Sequence, residues 1–347
     1  MRQKFGLWSL RELTIEGKSL VLHSEILPVL QYLAQAWPPR VNTCKAITRA
    51  VFHSIWGSKM DIVKRAVMFK EPLKGGKGVP DIATMLRVFF GCNCIRRTLI
   101  EKTLDSAGNS MSRFFLLPLW RTLGWDKWDS SVPYNWDTPW FYLDTFKFIR
   151  EHGLHGVKPD LWKPKTIYKL MRAKDTVEIV PGLPLDTCKF VWRSVSSKRL
   201  TNRHKDLAWM AIQGGLPVRT FMHTRNLCRH RHCPFCITEE ETALHLFWHC
   251  PVAQALLRAL EHELKDFVPL TAITHFGVMY GLFCGAFTED EIGGAWRVMC
   301  CFKDAIWCAR KRLTLRRERM STEDCRRLII SLLRDYHLMD FKEEEDV

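Results

Sequence analysis

Cys233-Pro-Phe-Cys236 is followed by eight residues, then His245, four more residues and Cys250. A Cys-x-x-Cys turn can set two thiolates on one tetrahedral ion, and a nearby His and Cys can fill the two remaining positions. Four protein ligands leave no place for a water molecule. The chemistry predicted by this spacing is therefore one structural Zn²⁺ on Cys233, Cys236, His245 and Cys250, not a catalytic metal. In a small module such an ion contributes folding free energy, on the order of 10 kcal/mol of apparent binding. Cys228, His230, His232 and His249 stand close enough in sequence to compete for it. Cys228 lies five residues before Cys233, and His249 adjoins Cys250; both stay open as substitutes.

The stretch in front of this motif is strongly basic. Residues 189–231 hold ten Lys and Arg against one acid, Asp206, a net +9. Arg193, Lys198, Arg199, Arg203, Lys205, Arg219 and Arg225 are the expected phosphate contacts. Arg199 and Arg203 are four residues apart, so a helix would line them up along one phosphate run. Trp192, Trp209, Leu216 and Phe221 interleave with them and can build the core beneath. A second run, residues 303–319, carries a net +5 and places Arg310, Lys311 and Arg312 as further phosphate contacts. These two segments hold nearly all of the chain's formal +15, leaving a nearly neutral body.

That body must bury a core. Of 347 residues, 47% are hydrophobic and 26% charged, which excludes a disordered or low-complexity chain. No stretch approaches the roughly 20 apolar residues of a membrane span, and Met1-Arg2-Gln3-Lys4-Phe5 lacks the apolar segment of a secretory signal. An intracellular, nuclear protein with no membrane partner is expected. Its thiols should be reduced, with Cys44, Cys188, Cys284, Cys300, Cys301 and Cys308 as small core residues. Most of the fourteen Trp should also pack inside.

Helical spacing dominates. Ser24 is the expected N-cap of a helix over 24–36 that stops at Trp37-Pro38-Pro39; Gly57 closes one over 42–56; another short helix spans 60–69. Asp81 caps a long helix over 82–104. Further helices are expected around Phe114 and Trp120, over 140–152, 165–173, two within 185–213, and over 251–264, 290–313 and 321–338. The predicted fold is mainly α: helical bundles with a small structural zinc knuckle. Four regions result: helices over 1–125, a Trp/Pro-rich connector over 126–184, basic helices and the zinc motif over 185–265, and C-terminal helices over 266–347 with an acidic tail.

Other candidate chemistry fails on spacing. Gly75-Gly76-Lys77-Gly78 lacks the phosphate-loop frame, since Val79-Pro80 stands where Ser or Thr belongs. Asp126/Asp129, Glu239-Glu240-Glu241 and Glu289-Asp290-Glu291 read as solvated acids. There is no Gly-x-Ser-x-Gly elbow and no Asp-Asp dipeptide.

Taken together, three blocks resemble a known family. The first is Leu7-Trp8, Leu10-Arg11, Leu13, Ile15 and Gly17-Lys18, continued by Leu27-Pro28 and Trp37-Pro38-Pro39. The second is Trp56-Gly57 with Lys74 to Asp81. The third and most specific is Ala208-Trp209, Gly215-Leu216-Pro217-Val218-Arg219, Cys233-Pro-Phe-Cys236, Glu241-Thr242 and His245 to Pro251. The chain is similar to the C-terminal part of a LINE-type, non-LTR retrotransposon reverse transcriptase. The resemblance implies thumb-like and linker helices over 1–125, a zinc-binding domain over 185–265, and RNA or DNA as partner. The family's activity is RNA-directed DNA polymerisation, which needs paired palm carboxylates on two metals. No Asp-Asp occurs here, so the chain is expected not to act as an enzyme by itself. Two rival readings remain: a non-catalytic part that supports polymerisation with a palm supplied in trans, and a protein-interaction scaffold built on the Trp-rich segment 114–148.

Overall fold

The computed structural model describes Trp8, Arg11 and residues 13–38, 40–103 and 138–345. The helix expected around Phe114 and Trp120 lies outside these residues. Among the described residues the chain is helical, with one isolated bridge between His232 and Glu240 and no sheet. No described helix is long and apolar enough to cross a membrane. The helices fall into two compact units. One takes the residues up to Asp61, Met68–Glu71 and Lys77–Thr176; the other takes Ile62–Val67, Pro72–Gly76 and the residues from Val177 onward.

The first unit opens on α1 (Ile15–Val21), a π-helical turn (Leu22–Ile26) and α2 (Leu27–Ala36), which run on without a break. Thr14, not Ser24, caps this rod: its Oγ1 accepts from the Gly17 amide at 3.1 Å. Ser24 lies inside the rod because buried Leu22, Ile26 and Leu27 carry the apolar face straight through it. Gly57, left-handed at φ 65°, ends α3 (Val41–Trp56) as its sequence position predicts. After α4 (Arg65–Phe69), Asp81 caps α5 (Ile82–Thr103) by accepting from the Thr84 amide. With α6 (Trp140–Glu151) and α7 (Pro164–Ala173), α5 encloses a core of Val88, Phe90, Ile95, Phe148, Ile149, Trp162 and Ile167. Arg87 forks onto Asp144 across it, at 2.9 and 3.0 Å.

The second unit holds α8 (Leu185–Val195), α9 (Asn202–Ile212), α10 (Arg219–His223), α11 (Pro251–Arg258), α12 (Glu261–Leu264), α13 (His275–Tyr280), α14 (Glu289–Arg316) and α15 (Thr322–Glu345). Gly75 shows what the glycine-rich loop does. Its carbonyl accepts from the Trp209 indole at 2.8 Å and from Gln213 at 3.2 Å. Its φ is +89°, and a Cβ there would stand 2.7 Å from Trp192. The loop is thus a packing device for two core tryptophans. Cys284, expected inside, is exposed. Residues 343–345, expected as an acidic tail, continue α15, since no Gly or Pro interrupts that helix.

The long helix α14 organises this unit. Glu291, expected to be solvated, forms a capping box with Thr288: Thr288 Oγ1 accepts from the Glu291 amide, and Glu291 accepts from the Thr288 amide at 2.7 Å. Trp296, Lys303 and Arg310 follow at seven-residue steps, which keeps them on one stripe, and all three are buried. Lys303 therefore does not belong to a basic surface. Its ammonium sits 3.9 Å over the Trp296 ring, and Nζ finds no hydrogen-bond partner among the described residues. Burial pushes its pKa down to about 8. Between that value and the ordinary 10.5, the unfolded chain holds a proton that the folded chain does not, so stability rises with pH across this window. Lys303→Met should accordingly raise unfolding free energy at pH 7 by about 1–3 kcal/mol, with the gain shrinking toward pH 10.5. Denaturant titrations at several pH values test this; a loss of stability at pH 7 would contradict it.

Candidate metal centre

A short hairpin and two helix ends bring the four expected ligands together. The His232–Glu240 bridge closes the hairpin, with the Cys233 amide donating to Glu239 O and the Glu241 amide to Arg231 O, both at 2.8 Å. Within it, Ile237 donates to Cys233 O at 2.9 Å and adopts a left-handed φ of 66°, with its side chain exposed. A β-branched residue is disfavoured there, so the turn carries local strain. His245 opens a second π-helical turn, His245–His249, with its amide held by Thr242 Oγ1 at 2.9 Å. Cys250 then serves as N-cap of α11.

The donor atoms of Cys233, Cys236, His245 and Cys250 all lie within 4.8 Å of one another. The Cys233 and Cys250 sulfurs are 4.0 Å apart, and Cys236 Sγ is 3.4 Å from His245 Nε2. A tetrahedral ion with Zn–S bonds of about 2.3 Å spaces its ligand atoms by roughly 3.8 Å, so the set fits zinc. Cys233, His245 and Cys250 are buried. Amide hydrogens point at the sulfurs: Phe235 and Cys236 toward Cys233, Thr238 and Glu239 toward Cys236, Val252 and Ala253 toward Cys250. The bond to Cys250, then burial, pushes the Cys233 thiol up, while the same bond holds Cys250 below the ordinary thiol range. Burial also raises Cys236, but the Thr238 side chain and the two amides outweigh it and hold that thiol low. Bound zinc would supply a cross-link between the hairpin and α11; these amides favour the thiolates that it needs. Two competitors stand elsewhere. Cys228 Sγ donates to the carbonyls of Arg219 and His230 at 3.4 and 3.3 Å, and His249 is exposed and outside the cluster.

One residue of this segment was not expected to matter. Glu241, at the end of an acidic run, is fully buried. It accepts both prongs of Arg310, each at 2.9 Å, and the Arg219 amide at 2.6 Å. Its own carbonyl accepts from the Thr220 amide and hydroxyl. Arg310 is thus removed from the expected phosphate contacts, because its guanidinium is consumed inside the protein. A buried charge is costly unless it is paired, and here the pair joins the hairpin to α14.

The other basic residues are distributed by their neighbours. Lys198 and Arg199 occupy the turn between α8 and α9, since Thr201 caps α9 by accepting from the His204 amide. Arg199 and Arg203 therefore do not share a helix. Arg199 pairs with Asp290 and Arg203 with buried Asp304, at 2.9 and 2.8 Å, and both cations remain exposed. Arg193, Lys198, Lys311 and Arg312 are exposed, while Lys205, bonded to Asn202, is half-buried. Arg219 and Arg225 are half-buried; the Arg225 guanidinium lies 4.1 Å over the Phe221 ring.

Two outcomes follow from the buried pair and the cluster. Glu241→Ala leaves the Arg310 charge uncompensated and should cost about 3–5 kcal/mol, part of which Arg310→Met restores in the double variant. Chemical denaturation checks this, and a single-variant loss under about 1 kcal/mol would contradict the clamp. Cys236→Ser should lower zinc per chain, measured by elemental mass spectrometry, while the helices of the first unit persist. Equal zinc in both proteins would refute the ligand set.

Residues 162–256 match the family described as zinc-binding in reverse transcriptase, and the matched stretch contains all four ligand candidates. No curated protein matches the chain. The family match relates the chain to reverse transcriptases through their zinc-binding domain.

Proposed function

We propose that the chain is a nucleic-acid-binding module derived from a LINE-type, non-LTR reverse transcriptase, stapled by one structural Zn²⁺ and working in the nucleus. The observation that carries this reading is a Cys₃His cluster, inside the matched stretch, in the same unit as exposed cations of an otherwise nearly neutral chain. Arg193, Lys198, Arg199 and Arg203 crowd the α8–α9 corner, and Lys311 and Arg312 follow directly on the buried Arg310. Such surfaces attract phosphates by counterion release and read little sequence. RNA and DNA are both partners on this chemistry. The module binds and does not polymerise by itself, for want of paired carboxylates; a palm supplied in trans would provide them.

A filter-binding titration across salt tests the reading. Single-stranded RNA and DNA should bind tightly at low salt, with log Kd rising by about 0.7 per phosphate contact for each decade of salt. Neutralising Arg193 and Lys198 to Gln should flatten that slope by about one contact each, whereas no such change is expected of an uncharged region. A flat salt response, or primer extension by the purified chain without a partner, would overturn the proposal.

A further inference from the structure

The connection from α9 to α10 and the residues leading into His245 flank an open recess of about 310 Å³. Leu216, Val218, Phe221 and Ala243 give it apolar walls, and the exposed Thr224 stands at its rim. Its size suits one small group, since pockets for larger ligands begin near this volume. The half-buried Arg225 guanidinium covers one face of the Phe221 ring at 4.1 Å and donates to Ile62 O at 3.5 Å, which sets a cation against the wall. The recess thus pairs an apolar, aromatic interior with positive charge beside it, in a segment carrying net +9. A flat apolar group borne on an anionic chain fits both demands.

We infer that the recess takes one unstacked nucleobase of a single strand, the neighbouring phosphate lying at Arg225; the assignment rests on the nucleic-acid reading above. Base–aromatic stacking is tolerant of sequence because every base has a π face. The hydroxyls nearby offer little discrimination. Thr220 Oγ1 donates to Glu241 O at 2.7 Å, Thr224 Oγ1 donates to Phe221 O at 2.9 Å, and Thr242 Oγ1 accepts from the His245 amide. The pocket's shape also depends on the metal hairpin, because Thr242 lies on its wall between Glu241 and His245.

The test compares a short thymidine oligomer with an abasic oligomer of equal length and charge, using the full chain and fluorescence anisotropy. Wild type should bind the base-bearing strand about 10-fold tighter. Thr224→Met fills the recess from an exposed position without adding a π face and should bring the ratio near one, leaving abasic affinity and zinc content unchanged. Phe221→Leu keeps the apolar fill without the π face and should reduce the ratio in part. A ratio near one in wild type, or a ratio undiminished in both variants, overturns the pocket alone. Failure of both oligomers to bind at low salt overturns the nucleic-acid reading as well.

Discussion

The buried bidentate pair between Glu241 and Arg310 is the constraint on which the second unit depends. Neither charge reaches water: Glu241 is fully buried and Arg310 is 5% exposed. Each is tolerable only because the other is present and because the Arg219 amide takes up further acceptor capacity. The two residues stand 69 positions apart, so one contact fixes where the hairpin meets α14. It also determines what lies outside. Locking Arg310 inward leaves Lys311 and Arg312, one and two residues on, exposed on other faces of α14.

The metal ligands and the ion pair divide the work by range. The Cys₃His cluster organises residues 233–250, a span whose regular structure is a π-helical turn that buries Leu246 and Phe247. Glu241, between the second and third ligands, hands that local order to the helices. The Asp304 carboxylate plays a similar part on α14. It is buried, accepts from Arg203 and His204, and so ties the start of α9 to the same helix. Thr201 and His204 in turn meet the Tyr336 hydroxyl, which carries α15 into the network.

How much of this was legible in sequence depends on range. The ligand spacing, the Gly57 stop and the Asp81 cap are local patterns, and each reads directly. The capping box at Thr288 and Glu291 is local too, but it hides in a run of three acids that suggests solvation. Charges were the least legible. Arg310 and Lys311 are neighbours of one type, yet one is buried and the other exposed, because helical periodicity points them 100° apart and only tertiary structure says which side holds an acid. Lys303 and Glu241 misled for the same reason. The helix expected through Arg199 and Arg203 failed more simply, since Thr201 offers a better start than any residue before it.

The left-handed Ile237 bears on what holds the hairpin closed. Helices on either side of the hairpin bury apolar faces, whereas this turn asks an exposed β-branched side chain to hold a conformation it resists. Its amide bond to Cys233 O offsets part of that cost, and an ion shared by Cys233 and Cys236 would offset more. The hairpin would therefore loosen first if an ion held by the four ligands were removed, and with it the Thr242 wall of the recess beside Phe221.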